Sequence, residues 1–146
     1  MNLIEKIILE AKLSIKQKKD EDGVDFDAYL GNVRVGQLML RLDYNAWWWF
    51  EDLMDEEDYE EMFDSAPMYF ISHVEVLPDN QEKGIGSALM NAAIEKVKKS
   101  GVGIIVLNAS PLSNKMNSGQ LATWYSKFGF KTIFDQGKNK VMIKRL

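Results

Sequence analysis

The sequence predicts an α/β fold, a single domain whose mixed, mostly antiparallel sheet of about seven strands is flanked by helices. Three observations carry that reading. Short apolar runs that alternate or sit at hairpin spacing recur between residues 13 and 42. A strand-like run from Tyr69 to Leu77 passes through a glycine-bearing turn into a stretch where Ile85, Leu89, Ala92 or Ala93, and Val97 fall at helical spacing. The chain then continues as a buried strand, a helix and a hairpin. The order is three strands, a helical insert, then β-α-β-α-β-β, and 146 residues suffice for one core.

Each element has its own signal. Leu3, Ile4, Ile7, Ile8 and Ala11 predict a short N-terminal helix over residues 2–11, and Leu13 to Lys19 alternates as a strand. A charged turn, Asp20 to Gly23, leads to strands at about 24–30 and 33–42, joined at Gly31-Asn32, a tight-hairpin signal. Residues 43–68 read as an acidic helical insert, opening on Trp47-Trp48-Trp49-Phe50, with Leu53, Met54, Met62 and Phe63 able to line one helical side. Gly101 is a helix stop, and Val102 to Leu107 is the continuous apolar run of a strand buried on both faces. Asn108 to Gly119 reads as loop. Leu121, Trp124, Tyr125 and Phe128 form a helical face ending at Gly129, and Phe130–Phe134 with Val141–Arg145 form a last hairpin.

Composition excludes several chemistries. With no cysteine, disulfides, thiolate zinc sites and a cysteine nucleophile are ruled out, and one histidine cannot build a multi-histidine metal site. The expectation is a metal-independent cytoplasmic protein, with neither a membrane-length apolar run nor a signal-peptide layout. Net charge is −4, but residues 51–64 hold nine acids and no base, so the rest of the chain is net +5. A basic body suits an anionic ligand and an acidic insert suits a cationic one, while a nucleic-acid partner is disfavoured.

The chemistry concentrates in residues 74–89. The loop Gln81-x-x-Gly84-x-Gly86 sits between a strand and a helix. Such a turn brings backbone N–H groups together where the helix N-terminus already offers unpaired donors and partial positive charge. That suits a phosphate or pyrophosphate. The dinucleotide fingerprint fails because position 89 is leucine, and the Walker Gly-Lys-Ser/Thr is absent.

The run Val76-Leu77-Pro78, followed by Gln81-Glu82-Lys83-Gly84-Ile85-Gly86 and an amphipathic helix, resembles the acyl-CoA pyrophosphate loop of the GNAT superfamily of N-acetyltransferases. Leu121-x-x-Trp124-Tyr125-x-x-Phe128-Gly129-Phe130 is similar to a second signature of that family. The resemblance covers residues 69–146 in motif and 12–42 in pattern. It departs in two places. The family's two helices between the first and second strands are missing, and the insert at 43–68 stands where the family has a hairpin turn. Family substrates therefore do not carry over.

The resemblance implies a GNAT-like domain moving acetyl from the cosubstrate acetyl-CoA to a primary amine. The pyrophosphate would lie on Gln81, Glu82, Lys83, Gly84, Ile85, Gly86 and Ser87. Pantetheine would lie along the backbone of Val74, Glu75 and Val76, whose side chains can still be core. Tyr125 would protonate the leaving thiolate, or else simply pack beside Trp124. His73 and Glu75, two apart on a strand, face the same side and can form a proton-accepting pair. His73 reads equally as a satisfied, partly buried histidine. The family's alternative base position falls on Asn108, which cannot accept a proton. Asn114, Asn117 and Ser118 can hydrogen-bond pantetheine or form a solvated loop, and the three tryptophans can wall the acceptor site, though not all from one side. Valine at Gly84 or Gly86 is expected to block the phosphate and spare the fold. A rival reading from another class is an interaction module that keeps the CoA fold without turnover and binds a basic partner through the insert.

Overall fold

Alternation decides the front of the chain. The computed structural model describes residues 2–77, 80–81, 84–110 and 116–146, with backbone alone at positions 6 and 8–11. Helix α1 (Leu3–Lys12) is followed by strands β1 (Leu13–Lys19), β2 (Gly23–Leu30) and β3 (Val33–Asp43). After them come α2 (Trp47–Phe50), α3 (Glu56–Phe63), β4 (Met68–Val76), α4 (Ile85–Ser100), β5 (Ile104–Ala109), α5 (Ser118–Ser126), β6 (Lys131–Asp135) and β7 (Lys140–Arg145). The strands form one mixed seven-stranded sheet in the order β1-β2-β3-β4-β5-β7-β6. The chain divides into two compact units, residues 1–41 with 71–99, and residues 42–70 with 100–146.

In the first unit β1 and β2 pair antiparallel from Leu13↔Leu30 to Lys19↔Val24, and β2 pairs with β3 from Gly23↔Arg41 to Leu30↔Val33. The pleat sends Val24, Phe26 and Ala28 of β2, and Leu38 and Leu40 of β3, into the core, while Val35, the extra residue where the β2–β3 register shifts, is buried out of that phase. The polar face between them is stitched by Arg41 Nη1 to Asp25 Oδ1 at 2.8 Å and Gln37 Nε2 to Asp27 Oδ1 at 3.1 Å. Helix α4 buries Ile85, Leu89, Met90, Ala93, Ile94 and Val97, the stripe its periodicity predicts plus one flank. Gly36 sets how close that helix comes. A Cβ there would stand 3.0 Å from the Glu75 carbonyl, 3.2 Å from Ile85 Cγ2 and 3.2 Å from Leu89 Cδ1. A larger residue would push the N-terminal turn of α4 off the sheet.

The second unit is built around aromatic packing. Ala46, Phe50, Tyr59, Phe63 and Met68 form one cluster with Ile104, Val106, Val141 and Ile143. Phe50 meets Phe63 at 4.9 Å and Tyr59 at 5.6 Å between ring centroids. Helix α3 turns Tyr59 and Phe63 inward, one turn apart. Of the residues expected to line one side, Phe63 is buried in the cluster and Leu53 and Met54 pack against it, whereas Met62 is 38% exposed and Tyr59 takes the inward place. The acids are placed where a helix tolerates them. Asp55 caps the N-terminus by accepting from Asp58 N at 2.8 Å, and Glu56, Glu57 and Asp58 occupy the first turn, where the helix dipole favours negative charge. At the other end Arg145 donates to the Met62 carbonyl at 2.7 Å and lies over the Phe63 ring.

Strands β5 and β7 pair from Ile104↔Arg145 to Ala109↔Lys140. Strand β5 thus runs two residues past its expected end, and Asn108, read as loop, is an exposed strand residue opposite Val141. Cross-strand pairing continued where the apolar run stopped.

Candidate active site

Within the first unit, β4 delivers His73, Val74, Glu75 and Val76 to a turn that opens α4. The turn is closed by side chain and backbone together. Gln81 Nε2 donates to the Val76 carbonyl at 3.0 Å, Asn80 N donates to Leu77 O at 2.8 Å, and Leu77 N bonds Val35 O on β3 at 2.9 Å. Gln81 therefore acts as a brace that ends the strand at a fixed point. Val74 and Val76 are half-buried rather than fully core.

Gly84 stands at the N-terminus of α4, accepting from Ala88 N at 3.0 Å. Its φ is +80°, and nothing lies within 4 Å of where a Cβ would be. The first turn of a helix leaves its N–H groups without intrahelical partners, here those of Ile85, Gly86 and Ser87. This is the anion-binding geometry of a helix start, on a 16-residue helix with Lys98 and Lys99 in its last turn. The positive φ corrects one expectation. Valine at Gly84 would be strained in the left-handed region, so that substitution tests the fold as well as the site. Gly86 lies inside α4 and tests the site more cleanly. Glu82 and Lys83 lie outside the described residues.

On β4 the imidazole and carboxylate meet. His73 Nε2 lies 3.0 Å from Glu75 Oε2, with side chains 30% and 53% exposed. A strand alternation of two puts both on one side, where they form a hydrogen-bonded pair with Glu75 exposed and His73 half-buried.

The remaining candidates belong to the second unit. Tyr125, on α5, is buried, edge-on to Trp124 at 5.0 Å and to Phe130 at 6.2 Å. Burial pushes its phenol up to about 12. It stays protonated at any physiological pH and can donate. Asn117 and Ser118 have structural tasks. Asn117 is the N-cap of a full capping box, its Oδ1 accepting from Gln120 N at 2.8 Å while its own N–H donates to Gln120 Oε1 at 2.9 Å. Ser118 Oγ donates to the Gly137 carbonyl at 2.6 Å. The two line an open cavity of about 400 Å³ with Ser110, Gly137, Lys138 and Asn139. Asn114 lies outside the described residues.

Of the three tryptophans, Trp47 packs on Tyr59 at 5.2 Å and Trp49 on Phe70 at 5.2 Å. Trp48 points to solvent, 61% exposed, its Nε1 donating to Asp43 Oδ2 at 2.6 Å. Sequence reasoning missed Tyr59 as a core anchor, although its i, i+4 spacing to Phe63 was a usable signal. It also missed the capping box, which Asn117-x-x-Gln120 spells out. Among the described residues no cluster of three histidine or carboxylate groups is arranged to hold a metal.

The model of the acetyltransferase (GNAT) domain matches residues 28–132, most of the chain, including β4, the turn and α4. The chain belongs to the GNAT acetyltransferase family. No curated protein matches it in sequence. Solved structures share the fold at low identity. One is Naa50 of Arabidopsis thaliana in complex with the bisubstrate analogue CoA-Ac-MVNAL, 22% identical, covering 99% of this chain and 93% of that one, TM-score 0.60. A GNAT family acetyltransferase from Elizabethkingia anophelis with acetyl-CoA bound is 16% identical, covering 92% and 99%, TM-score 0.61. The PaiA N-acetyltransferase of Thermoplasma acidophilum in complex with coenzyme A is 18% identical, TM-score 0.58. There the match covers 86% of this chain but only 62% of that one. Family membership supports acyl-CoA-dependent acetyl transfer as the general activity.

Proposed function

We propose that this protein moves an acetyl group from acetyl-CoA to a primary amine, and that the acceptor is cationic. The observation that carries the reading is the turn from β4 into α4, where the Gln81 brace, the open left-handed Gly84 and the first N–H groups of a long helix combine. That turn suits the CoA pyrophosphate.

In this reading the His73–Glu75 pair takes the proton that an ammonium acceptor must lose, directly or through water. An amine with a pKa near 10.4 is only about four parts in ten thousand neutral at pH 7, so this step matters. The neutral nitrogen attacks the thioester carbonyl carbon. A backbone N–H on β4 stabilises the oxyanion, the C–S bond breaks, and the Tyr125 phenol gives its proton to the thiolate. The proton that the new amide nitrogen sheds passes to water, from which the tyrosinate is reprotonated. A phenol at about 12 is a weak acid beside an ordinary thiol near 8.5, so its transfer is concerted with C–S cleavage rather than complete before it. The insert's exposed carboxylates supply long-range attraction for the cationic amine.

Calorimetric titration with acetyl-CoA, then a screen of small amines and peptides in a thiol-release assay, tests the reading. Saturable acetyl-CoA binding with turnover of at least one cationic amine is the expected result. Binding without turnover of any amine would leave a CoA-fold interaction module, and no binding would remove the site.

A further inference from the structure

Strand β3 carries a glycine that its own backbone does not require. Gly36 lies in the strand interior, and its φ is not in the left-handed region. A strand glycine costs chain entropy and packs no side chain, so its presence marks the close approach of something else. What approaches is both walls of the candidate site. A Cβ at position 36 would stand 3.0 Å from the Glu75 carbonyl on β4, and 3.2 Å from both Ile85 Cγ2 and Leu89 Cδ1 on α4. The residue before it is committed to the same joint. Val35 is the extra residue where the β2–β3 register shifts, and such a bulge re-aims the groups around it. Its carbonyl accepts from Leu77 N at 2.9 Å, just where the chain leaves β4. Val35 thus fixes the end of β4, and Gly36 leaves the room in which α4 seats beside it.

We infer that Gly36 is a positioning residue for acetyl-CoA, its missing side chain setting the distance between β4 at Glu75 and the first turn of α4. The inference rests on the proposed use of the site. There one cosubstrate spans both walls, its pyrophosphate on the helix start and its pantetheine arm along Val74 to Val76. The two ends of such a ligand have a spacing fixed by its own bonds, so the walls must stand at a matching separation. Gly36 does this without touching the ligand. A close-packed joint cannot absorb a methyl group without movement. The Glu75 carbonyl belongs to a strand paired with β3, so the helix is the part that yields, by a few tenths of an ångström. That shift carries the free N–H groups of Ile85, Gly86 and Ser87 away from β4.

Calorimetric titration of the full chain and its variants with acetyl-CoA tests it, with thermal midpoints measured alongside. Gly36→Ala should keep the parent's circular dichroism and bind about 10-fold more weakly, the partial loss of hydrogen bonds to a charged group. Leu89→Ala alone removes a fully buried side chain, so its thermal midpoint should fall while it binds within about 3-fold of the parent. The double variant, Gly36→Ala with Leu89→Ala, should be less stable than Gly36→Ala and yet bind more tightly. Truncating Leu89 makes room for the new methyl, and α4 settles back. Lost stability cannot by itself raise affinity, so that crossing separates positioning from a merely structural role. Gly36→Ala binding within about 2-fold of the parent overturns the inference, and so does a double variant that binds no better than Gly36→Ala. If Gly36→Ala alone does not fold, the double variant is compared with Leu89→Ala. The added methyl should still weaken binding through its contacts with Glu75 and Ile85, and unchanged binding there overturns the inference as well. A parent that does not bind acetyl-CoA removes the site itself, and the positioning role with it.

Discussion

The turn before α4 and the insert at 43–68 carry the two most distinctive stretches of this sequence, and they are made in opposite ways. The turn is backbone chemistry. Its donors are main-chain N–H groups, its brace ends on a main-chain carbonyl, and its one special residue, Gly84, matters for a φ of +80°. The insert is side-chain chemistry. Phe50, Tyr59 and Phe63 hold it from inside while carboxylates face out. A backbone site is sensitive to steric and conformational change but indifferent to the charge of its neighbours at high salt. A side-chain surface is the reverse. Substitutions in the two regions should therefore separate stability, binding and salt dependence.

The largest effect belongs to the inside of the insert. Phe50→Ala removes a fully buried ring that touches Trp49, Tyr59 and Phe63, and should cost about 3–5 kcal/mol, read as a lower urea midpoint. A loss under about 1 kcal/mol would mean that the cluster collapses around the hole and does not anchor the insert.

Tyr125→Phe comes next. If the phenol protonates the thiolate, kcat should fall by about 10²-fold with acetyl-CoA affinity kept. An unchanged kcat with chemistry rate-limiting removes Tyr125 from the mechanism. The same variant has a pH signature. With the phenol raised to about 12 from an ordinary 10.0, the folded protein keeps a proton that the unfolded chain loses in that window. Tyr125 thus supports the fold fully below pH 10, and that support disappears as pH climbs to 12. Between those limits the parent should lose about 2–3 kcal/mol more stability than Tyr125→Phe. Equal losses in the two proteins would show that the phenol is not desolvated.

Gly86→Val probes the turn. It adds bulk at the start of α4 without a left-handed strain, and valine is no worse than glycine inside a helix. Acetyl-CoA should bind about 10- to 100-fold more weakly, the worth of one or two hydrogen bonds to a charged group, with the thermal midpoint preserved. Parent-like binding would move the pyrophosphate elsewhere.

Much of this was legible before any coordinates. Strands β1 to β3 announced themselves by alternation and Gly31-Asn32, and α4 by its stripe, because one face of β2, β3 and α4 is buried and Leu13 and Ile15 of β1 are half-buried. Choices made by tertiary contact were less legible. Periodicity allowed Met62 on the inner face of α3, but packing chose Tyr59. Apolarity ended β5 at Leu107, but pairing with β7 carried it to Ala109. Two glycines in one loop look alike as letters, and only the backbone shows Gly84 at positive φ. The His73–Glu75 contact followed from strand spacing alone. The use of Gln81 as a brace did not, since a side chain bonding a carbonyl five residues back has no pattern of its own.

The smallest expected effect is the one that best separates the two regions. Asp55, Glu56, Glu57 and Asp58 begin α3, and changing them to Asn or Gln removes four exposed charges from the insert. Asn at 55 keeps a good helix cap, so the structural cost stays small, although the helix dipole loses some favourable charge. Exposed charges act over about 8–10 Å at physiological salt, so they gather a cationic amine without gripping it. Acceptor KM should rise a few-fold, and the parent's KM should climb toward the variant's as salt is added. Acetyl-CoA affinity should be the same in both proteins, because the turn binds through backbone donors. If acceptor KM is indifferent to both salt and substitution, the insert plays no part in choosing the amine. If acetyl-CoA affinity shifts as much as acceptor KM, the two regions are not independent, and the division between a backbone site and a side-chain surface fails.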